Sequence, residues 1–226
     1  HLPSSWRTLF SDKAGNNERM AFVYDSDKVS LLEKVGEIAI PPADHRWIKL
    51  PGVSQTFRGF DRNPYIGTFK AGNLCLALVN VHLFYGDDST ADRGRRSLEA
   101  YATARWGDLR QESPNAYAED IVVLGDFNLP KVEPGDPIYD ALRRRGLRRP
   151  EHSTRIYSNI SGDKDYDQIM FFPQKSRQDW TGEIGVFDFD SAIFRHVWET
   201  KTKSQFRAYV KYYISDHRLL WAEFKT

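Results

Sequence analysis

Cysteine, net charge and long apolar runs are all scarce in this sequence of 226 residues. Its single cysteine, Cys75, excludes an internal disulfide and a cysteine-rich zinc site, and it leaves the redox compartment open. A formal net charge of +1 is unlike that of a dedicated nucleic-acid-binding protein with a strongly basic face. No apolar run reaches about 18 residues, so the sequence predicts no membrane-spanning helix. The composition is that of a soluble protein, whether cytoplasmic or secreted.

Aromatic residues, by contrast, are abundant. They make up 14 % of the chain and include six tryptophans, which leaves much apolar surface to bury. A chain of this length can form one sizeable core, and no repeat, linker or low-complexity tract divides it. We therefore expect residues 1–226 to form a single domain.

Four apolar runs predict the strands of the fold. Residues 73–81 and 120–125 are nearly unbroken apolar runs, which are typical of strands buried on both faces. Residues 166–172 and 219–224 predict shorter strands, and in the second of these segments apolar and polar residues alternate more. Active sites of layered α/β folds gather at such strand ends, because a rigid sheet holds the loops in place there.

Two arginine-rich segments predict helices. One runs from about Thr90 to Glu112 with an apolar stripe, and the other begins at about Pro137. Their arginines either lie on solvated helix faces and helix ends or contact phosphate, whose oxygens match the guanidinium fork. The residues concerned are Leu98, Tyr101, Ala102, Trp106 and Leu109 in the stripe, Arg93, Arg95 and Arg96 near the first helix start, and Arg143, Arg144, Arg145, Arg148 and Arg149 at the second helix end.

Four short polar motifs are attached to the predicted strands. They read Asn-Val-His at 80–82, Gly-Asp-Phe-Asn at 125–128, Tyr-Asp-Gln at 166–168 and Ser-Asp-His at 215–217. Each alone has an ordinary explanation, such as a turn, a cap or a buried histidine. Together they supply the histidines, aspartates and asparagine that can hold a divalent cation and activate water against phosphorus. Their joint appearance predicts one metal-dependent site that cleaves phosphodiesters.

In this order the motifs resemble those of the endonuclease/exonuclease/phosphatase superfamily, and most of all its bacterial relatives of deoxyribonuclease I. Residues 17–25 add a fifth match, in which a glutamate precedes an apolar strand. The resemblance extends from about Glu18 to the C-terminus. It implies an α/β fold, a four-layer sandwich of two packed mixed β-sheets flanked by helices.

The resemblance also implies catalytic roles. His82 would be oriented by Glu18 and would donate a proton to the leaving oxygen or stabilise the phosphate. His217, oriented by Asp167, would be the second member of the pair. A carboxylate beside an imidazole fixes its tautomer and raises its pKa.

Three more residues would act on water and metal. Asp126 and Asn128 would bind the attacking water and a phosphate oxygen, or a second cation. Asp216 would bind the principal metal. Ligands of this kind suit Mg²⁺, Mn²⁺ or Ca²⁺ better than zinc.

One feature of the superfamily is missing from the sequence. Its members begin with a strand ending in Asn and a second strand ending in Gln-Glu, whose Glu binds metal. Residues 1–17 contain neither element. We therefore expect the N-terminal part of the fold to be missing, with an exposed sheet edge and apolar surface as the result.

The resemblance gives DNA as the expected substrate and a monomer as the expected state of the full domain. The residues around Asp167 read Tyr-Asp-Gln-Ile-Met, unlike the corresponding motifs of inositol phosphatases and abasic-site enzymes, and Gln168 replaces the usual Arg. Two alternatives remain: hydrolysis of a small or lipid phosphoester, and an inactive phosphate-binding accessory domain. In the loop at 173–185, Arg177 and Trp180 could contact substrate by phosphate binding or stacking.

Overall fold

A computed structural model describes residues 2–116, 118, 120–176 and 178–226, with only the backbone of Ser191. The strands in this part of the chain are β1 (Trp6–Phe10), β2 (Ala21–Asp25), β3 (Ser30–Glu37), β4 (Tyr65–Ala71), β5 (Leu74–His82), β6 (Asp120–Asp126), β7 (Asp167–Phe171), β8 (Trp180–Val186) and β9 (Leu220–Phe224). The helices are α1 (Thr90–Gln111), α2 (Pro137–Arg143), α3 (Pro173–Ser176), α4 (Phe189–Ala192), α5 (Arg195–Thr200) and α6 (Lys203–Tyr213), with a 3₁₀ helix at Pro42–Trp47.

The central sheet is mixed and has the strand order β3-β4-β5-β6-β7. Only β5 and β6 are parallel within it, and helix α1 makes the crossover between them. This connection places the carboxyl ends of β5 and β6 side by side. Two further pairs, β1-β2 and β8-β9, form antiparallel two-stranded sheets.

The largest core cluster lies between the central sheet and helices α1 and α2. Val79 and Val81 of β5 and Val123 of β6 pack there against helix residues such as Ala100 and Leu142. Small residues on α1 allow this close packing, because a Cβ on Gly107 would come within 2.8 Å of the Phe172 ring. The helix begins at Ser89, whose side chain accepts a hydrogen bond from the Asp92 amide.

The other face of the sheet is covered unevenly. Phe22 of β2 packs against Tyr65 and Phe69 of β4, and Trp180 of β8 contacts Phe171 of β7. Next to Phe22 and Phe69 lies an apolar groove of about 200 Å³, with Phe22, Val23, Tyr24, Val29, Phe69, Ala71, Leu74, Leu76 and Leu78 as its lining. The expectation that β5 is buried on both faces is therefore wrong, because alternate β5 side chains, including Leu76 and Leu78, are only half-buried.

The sequence-based α/β fold class is confirmed, and all four predicted strands and both predicted helices are present. In the apolar stripe of α1, Leu98 and Ala102 are buried, whereas Leu109 is 44 % exposed. Among the described residues, no helix combines the length and apolar character needed to cross a bilayer.

Several arginines of the two clusters are engaged within the protein, so for these members the solvated alternative is wrong. Arg96 is 1 % exposed and donates to the main-chain oxygens of Asn128 and Asp87, at 3.1 and 3.3 Å. Arg145 forms an ion pair with Asp108. These guanidinium groups hold loops and helices together.

Candidate active site

Sheet register brings three of the four motifs to one edge. In the parallel β5-β6 pair, His82 lies opposite Asp126, and in the antiparallel β6-β7 pair Asp126 lies opposite Asp167. Gly125 makes this alignment possible: its φ is +127°, and a Cβ there would lie 2.1 Å from the carbonyl oxygen of Val81. The polar residues thus end adjacent strands in one row.

His82 and Glu18 form the first dyad. Glu18 follows a tight turn closed by backbone hydrogen bonds with Ala14, and its Oε2 lies 3.0 Å from His82 Nδ1. The other ring nitrogen, Nε2, lies 3.6 Å from Asp126 Oδ2. The His82 imidazole therefore lies between two carboxylates, those of Glu18 and Asp126.

Arg62 supports this dyad, and the sequence analysis did not identify it. Its buried guanidinium lies 3.2 Å from Glu18 Oε2 and donates to the main-chain oxygens of His82 and Leu83, at 2.9 and 3.3 Å. The sequence gives no signal for Arg62, since an arginine in a polar loop is ordinarily exposed. Its role becomes visible only when the loop before β4 meets the end of β5.

His217 and Asp167 form the second dyad. Asp167 Oδ2 lies 2.7 Å from His217 Nδ1, a hydrogen bond that raises the pKa of the imidazole to about 9. Burial opposes this shift, while the negative charges of Asp167 and Asp126 favour it. The ring is therefore protonated near neutral pH, with its Nε2–H available to a ligand.

Asp126 lies between the two dyads. Burial raises the pKa of its carboxyl group, the charge of Asp167 adds to the effect, and a hydrogen bond from the Asn128 amide opposes it. Asn128 takes a φ of +51° and turns its side chain inward, where Nδ2 donates to the Leu83 oxygen at 2.7 Å. The main-chain amide of Asn128 thus donates to Asp126, and its side-chain Nδ2 is already engaged by the Leu83 oxygen.

A divalent cation, which the family resemblance implies, fits this arrangement. Asp126 and Asp167 each offer a carboxylate oxygen, and these oxygens and a ring nitrogen of His217 all lie within 4.8 Å of one another. A positive ion there would relieve the repulsion between the two carboxylates. Two carboxylates are ligands that Mg²⁺ and Mn²⁺ accept.

Asp216, the expected principal ligand, is not one of these three residues. Its Oδ2 lies 3.0 Å from Lys211 Nζ, and its side chain is 54 % exposed. Burial raises the pKa of Asp216, but the hydrogen bond and charge of Lys211, a backbone hydrogen bond and the charge of His217 together lower it. The Asp216 carboxylate is therefore paired with Lys211 of helix α6, although Asp216 directly precedes His217 in the sequence.

Comparisons with known proteins bear on this geometry. No protein-family model matches the chain. A Homo sapiens protein named Endonuclease/exonuclease/phosphatase family domain-containing protein 1 is 25 % identical over 197 residues, which cover 80 % of this chain and 31 % of that protein. Its Xenopus laevis namesake is 31 % identical over 113 residues, 47 % of this chain and 18 % of that protein. The chain thus spans about a third or less of these relatives' length.

Solved structures with a similar fold cover nearly the whole chain. The 3′ phosphatase NExo from Neisseria, bound to a product DNA hairpin, has a TM-score of 0.58 at 16 % identity and covers 98 % of this chain and 80 % of its own. A Bacteroides thetaiotaomicron mannosyl-6-phosphatase has a TM-score of 0.55 at 15 % identity, with 99 % and 78 % covered. D. rerio TDP2 with a single-strand DNA product has a TM-score of 0.55 at 14 % identity, with 98 % and 78 % covered.

The chain has the fold of these solved structures, and its sequence is similar to proteins named for the endonuclease/exonuclease/phosphatase family.

Some residues expected to face a substrate of this superfamily have other roles. Trp180 lies in β8 and packs against Phe171, so the expectation of a stacking loop residue is wrong. Arg177 lies outside the described residues. Gln168 is 1 % exposed and accepts a hydrogen bond from Arg149 Nε at 2.8 Å. Gln168 is therefore a buried residue that holds Arg149.

Proposed function

We propose that residues 1–226 act as one domain that hydrolyses phosphodiesters in DNA with the help of a divalent cation. The observation that carries this proposal is the pair of imidazole–carboxylate dyads, Glu18 with His82 and Asp167 with His217, on either side of Asp126. Two proton-carrying groups around a carboxylate are what a water attack on phosphorus requires. The DNA-bound structures of NExo and TDP2 support the choice of substrate.

In this mechanism Asp126 accepts a hydrogen bond from the attacking water, orients it and takes its proton as the new bond to phosphorus forms. The water oxygen forms a bond to phosphorus while the bond from phosphorus to the leaving oxygen breaks. Because Nδ1 of His217 is engaged by Asp167, the Nε2–H of this ring remains to donate to a phosphate oxygen. His82, held at Nδ1 by Glu18, protonates the leaving oxygen.

The cation would be held by Asp126 and Asp167, with Asp216 as a further carboxylate once it is released from Lys211. When bound, it neutralises negative charge on the phosphate oxygens. The two carboxylates are fixed by the sheet, so they are in place before any ligand arrives.

A phosphomonoester substrate is the second candidate. A mannosyl-6-phosphatase and a 3′ phosphatase share the fold, and their names describe the removal of a phosphate group. The two dyads could serve that reaction equally, because the attacking water and leaving oxygen have the same positions.

Nicking of supercoiled plasmid DNA with Mg²⁺ or Mn²⁺ tests the main proposal. We expect the wild-type chain to nick the plasmid, with about a 100-fold or larger loss in His82→Ala and His217→Ala, since general acid–base groups contribute about that much. His196→Ala removes an exposed histidine of α5 and serves as the matched control.

The outcomes separate the alternatives. A folded wild-type chain that leaves plasmid intact but releases phosphate from a 3′-phosphorylated oligonucleotide would favour the second candidate. If neither substrate is turned over with either metal, the hydrolase proposal fails.

A further inference from the structure

A cavity of about 370 Å³ lies next to His217 and is separate from the His82 dyad. The residues that line it come from the loop at 159–164, from helix α6 and from the Tyr166 and Asp216-His217 motifs. Glu18, His82 and Asp126 are not among them. The cavity therefore extends the candidate site to the side of the second dyad.

The loop wall of the cavity is already folded. The Asn159 side-chain oxygen accepts hydrogen bonds from the backbone amides of Gly162, Asp163 and Lys164, at 3.0 to 3.1 Å. Its Nδ2 donates to Asp163 Oδ1 at 2.7 Å. Loop residues fixed in this way can bind a ligand without the entropy cost of ordering a flexible segment.

The helical wall is also fixed. Arg207, Ala208 and Lys211 lie on one face of α6, because residues four apart are neighbours on a helix. The opposite side of α6 buries Phe206 and Val210 against Ile160.

The charges in the cavity favour an anion. Two lysines and one arginine line it, Lys164, Lys211 and Arg207, against two carboxylates. Both carboxylates have partners: Asp163 accepts from Asn159, and Asp216 pairs with Lys211 at 3.0 Å. Within the described part of the chain, the Lys164 ammonium has no carboxylate within ion-pairing distance.

We propose that this cavity is the subsite for the nucleotide next to the phosphodiester that is cleaved, with the neighbouring phosphate bound by Arg207 and Lys164. Its volume of about 370 Å³ is within the range of small-molecule sites and suits one nucleotide of a single strand. Tyr166 offers an aromatic surface for the base. This inference rests on the proposed function and narrows it to substrates that carry a neighbouring nucleotide.

Binding is the first test, and it does not need turnover. Fluorescence anisotropy would measure the affinity of a labelled single-stranded oligonucleotide of about eight nucleotides for the full chain at several salt concentrations. We expect Arg207→Ala and Lys164→Ala each to weaken binding about tenfold, as loss of a charge-assisted contact does, and to reduce the salt slope by about 0.7. Lys203→Ala, which removes an exposed cation from the first turn of α6, is the matched control and should change little.

Turnover is the second test. Bis-p-nitrophenyl phosphate is a phosphodiester without a neighbouring nucleotide, so we expect Arg207→Ala to hydrolyse it at the wild-type rate while kcat/KM for the oligonucleotide falls about tenfold. Circular dichroism melting curves would show that each variant is folded.

The results distinguish this inference from the proposed function. If the wild-type chain cleaves both probes, and Arg207→Ala and Lys164→Ala match Lys203→Ala, the subsite is refuted. Equal losses on both probes would also refute it. If the wild-type chain cleaves neither probe, the proposed function fails, and the anisotropy result alone decides whether the cavity binds a nucleotide strand.

Discussion

Arg62 Nε donates a hydrogen bond to the main-chain oxygen of His82 across 2.9 Å, from a side chain that is only 5 % exposed. The same guanidinium pairs with Glu18, the carboxylate partner of the His82 ring. One buried arginine thus contacts both members of a dyad whose residues are far apart in sequence.

Replacing Arg62 by methionine should destabilise the protein. The change removes the Arg62 donor from the main-chain oxygen of His82, and a buried unsatisfied group costs about 1–3 kcal/mol. The Leu83 oxygen loses one of its two donors and keeps the hydrogen bond from Asn128 Nδ2. Urea denaturation would measure the loss. Arg58→Met, at an exposed position in the same loop, should change the free energy of unfolding by less than about 0.5 kcal/mol. Equal effects of the two substitutions would contradict the anchoring role of Arg62.

Asp167→Asn should lower the pKa of His217 from about 9 toward its ordinary value of 6.5, because the hydrogen bond to Asp167 is the main cause of the shift. The folded-state pKa is raised, so the dyad stabilises the protein fully below about pH 6.5 and loses this effect as pH rises through about 9. NMR titration of the imidazole nitrogens would follow the pKa. An unchanged His217 titration in Asp167→Asn would assign the shift to another cause.

His152 should make the protein sensitive to acid. Burial lowers the pKa of its imidazole to about 4, and the nearby charge of Arg149 adds to the effect. Because the folded-state pKa is depressed, the stabilising contribution is present above about pH 6.5 and is lost as pH falls through about 4. His152→Leu should flatten the stability profile in this range, whereas His196→Leu, at an exposed site, should leave the profile unchanged. Melting temperatures of the wild type and both variants, measured between about pH 4 and pH 6.5, would show whether His152 causes the loss of stability.

Gly125→Ala should be among the most damaging small substitutions. A Cβ at this φ of +127° would meet the Val81 oxygen at 2.1 Å, so strain and a backbone clash combine to cost about 3 kcal/mol or more. Gly182→Ala is the matched control, since Gly182 has a φ of +102° with no atom near the added Cβ, and it should cost about 1 kcal/mol. Chemical denaturation of both variants gives the comparison, and similar losses would show that the clash is relieved by movement of β5.

The sequence predicted those parts of the site that depend on short-range patterns. Apolar runs placed β5, β6, β7 and β9, and the polar residues near their ends marked both histidines, Asp126 and Asp167. The family resemblance predicted the pairing of His82 with Glu18 and of His217 with Asp167. Parallel and antiparallel pairing then fixed their proximity, because the register leaves His82, Asp126 and Asp167 in one row.

Interactions between distant segments were not predictable. Arg62 was missed because its partners come from loops on other parts of the chain, and Arg96 was misjudged because helical periodicity does not show which cation will meet main-chain oxygens. Strand β1 was missed because its side chains are largely exposed and lack an apolar period. The pairing of Asp216 with Lys211 depends on how helix α6 meets the Ser-Asp-His motif, which no local pattern gives.

The two dyads join residue 18 to residue 82 and residue 167 to residue 217, so nearly the full length of the chain must be in place before both exist. Such long sequence separations mean that no fragment assembles the site early in folding. Activity and tryptophan fluorescence should therefore disappear together as denaturant is added. The site is a sensitive reporter of the native state as a whole.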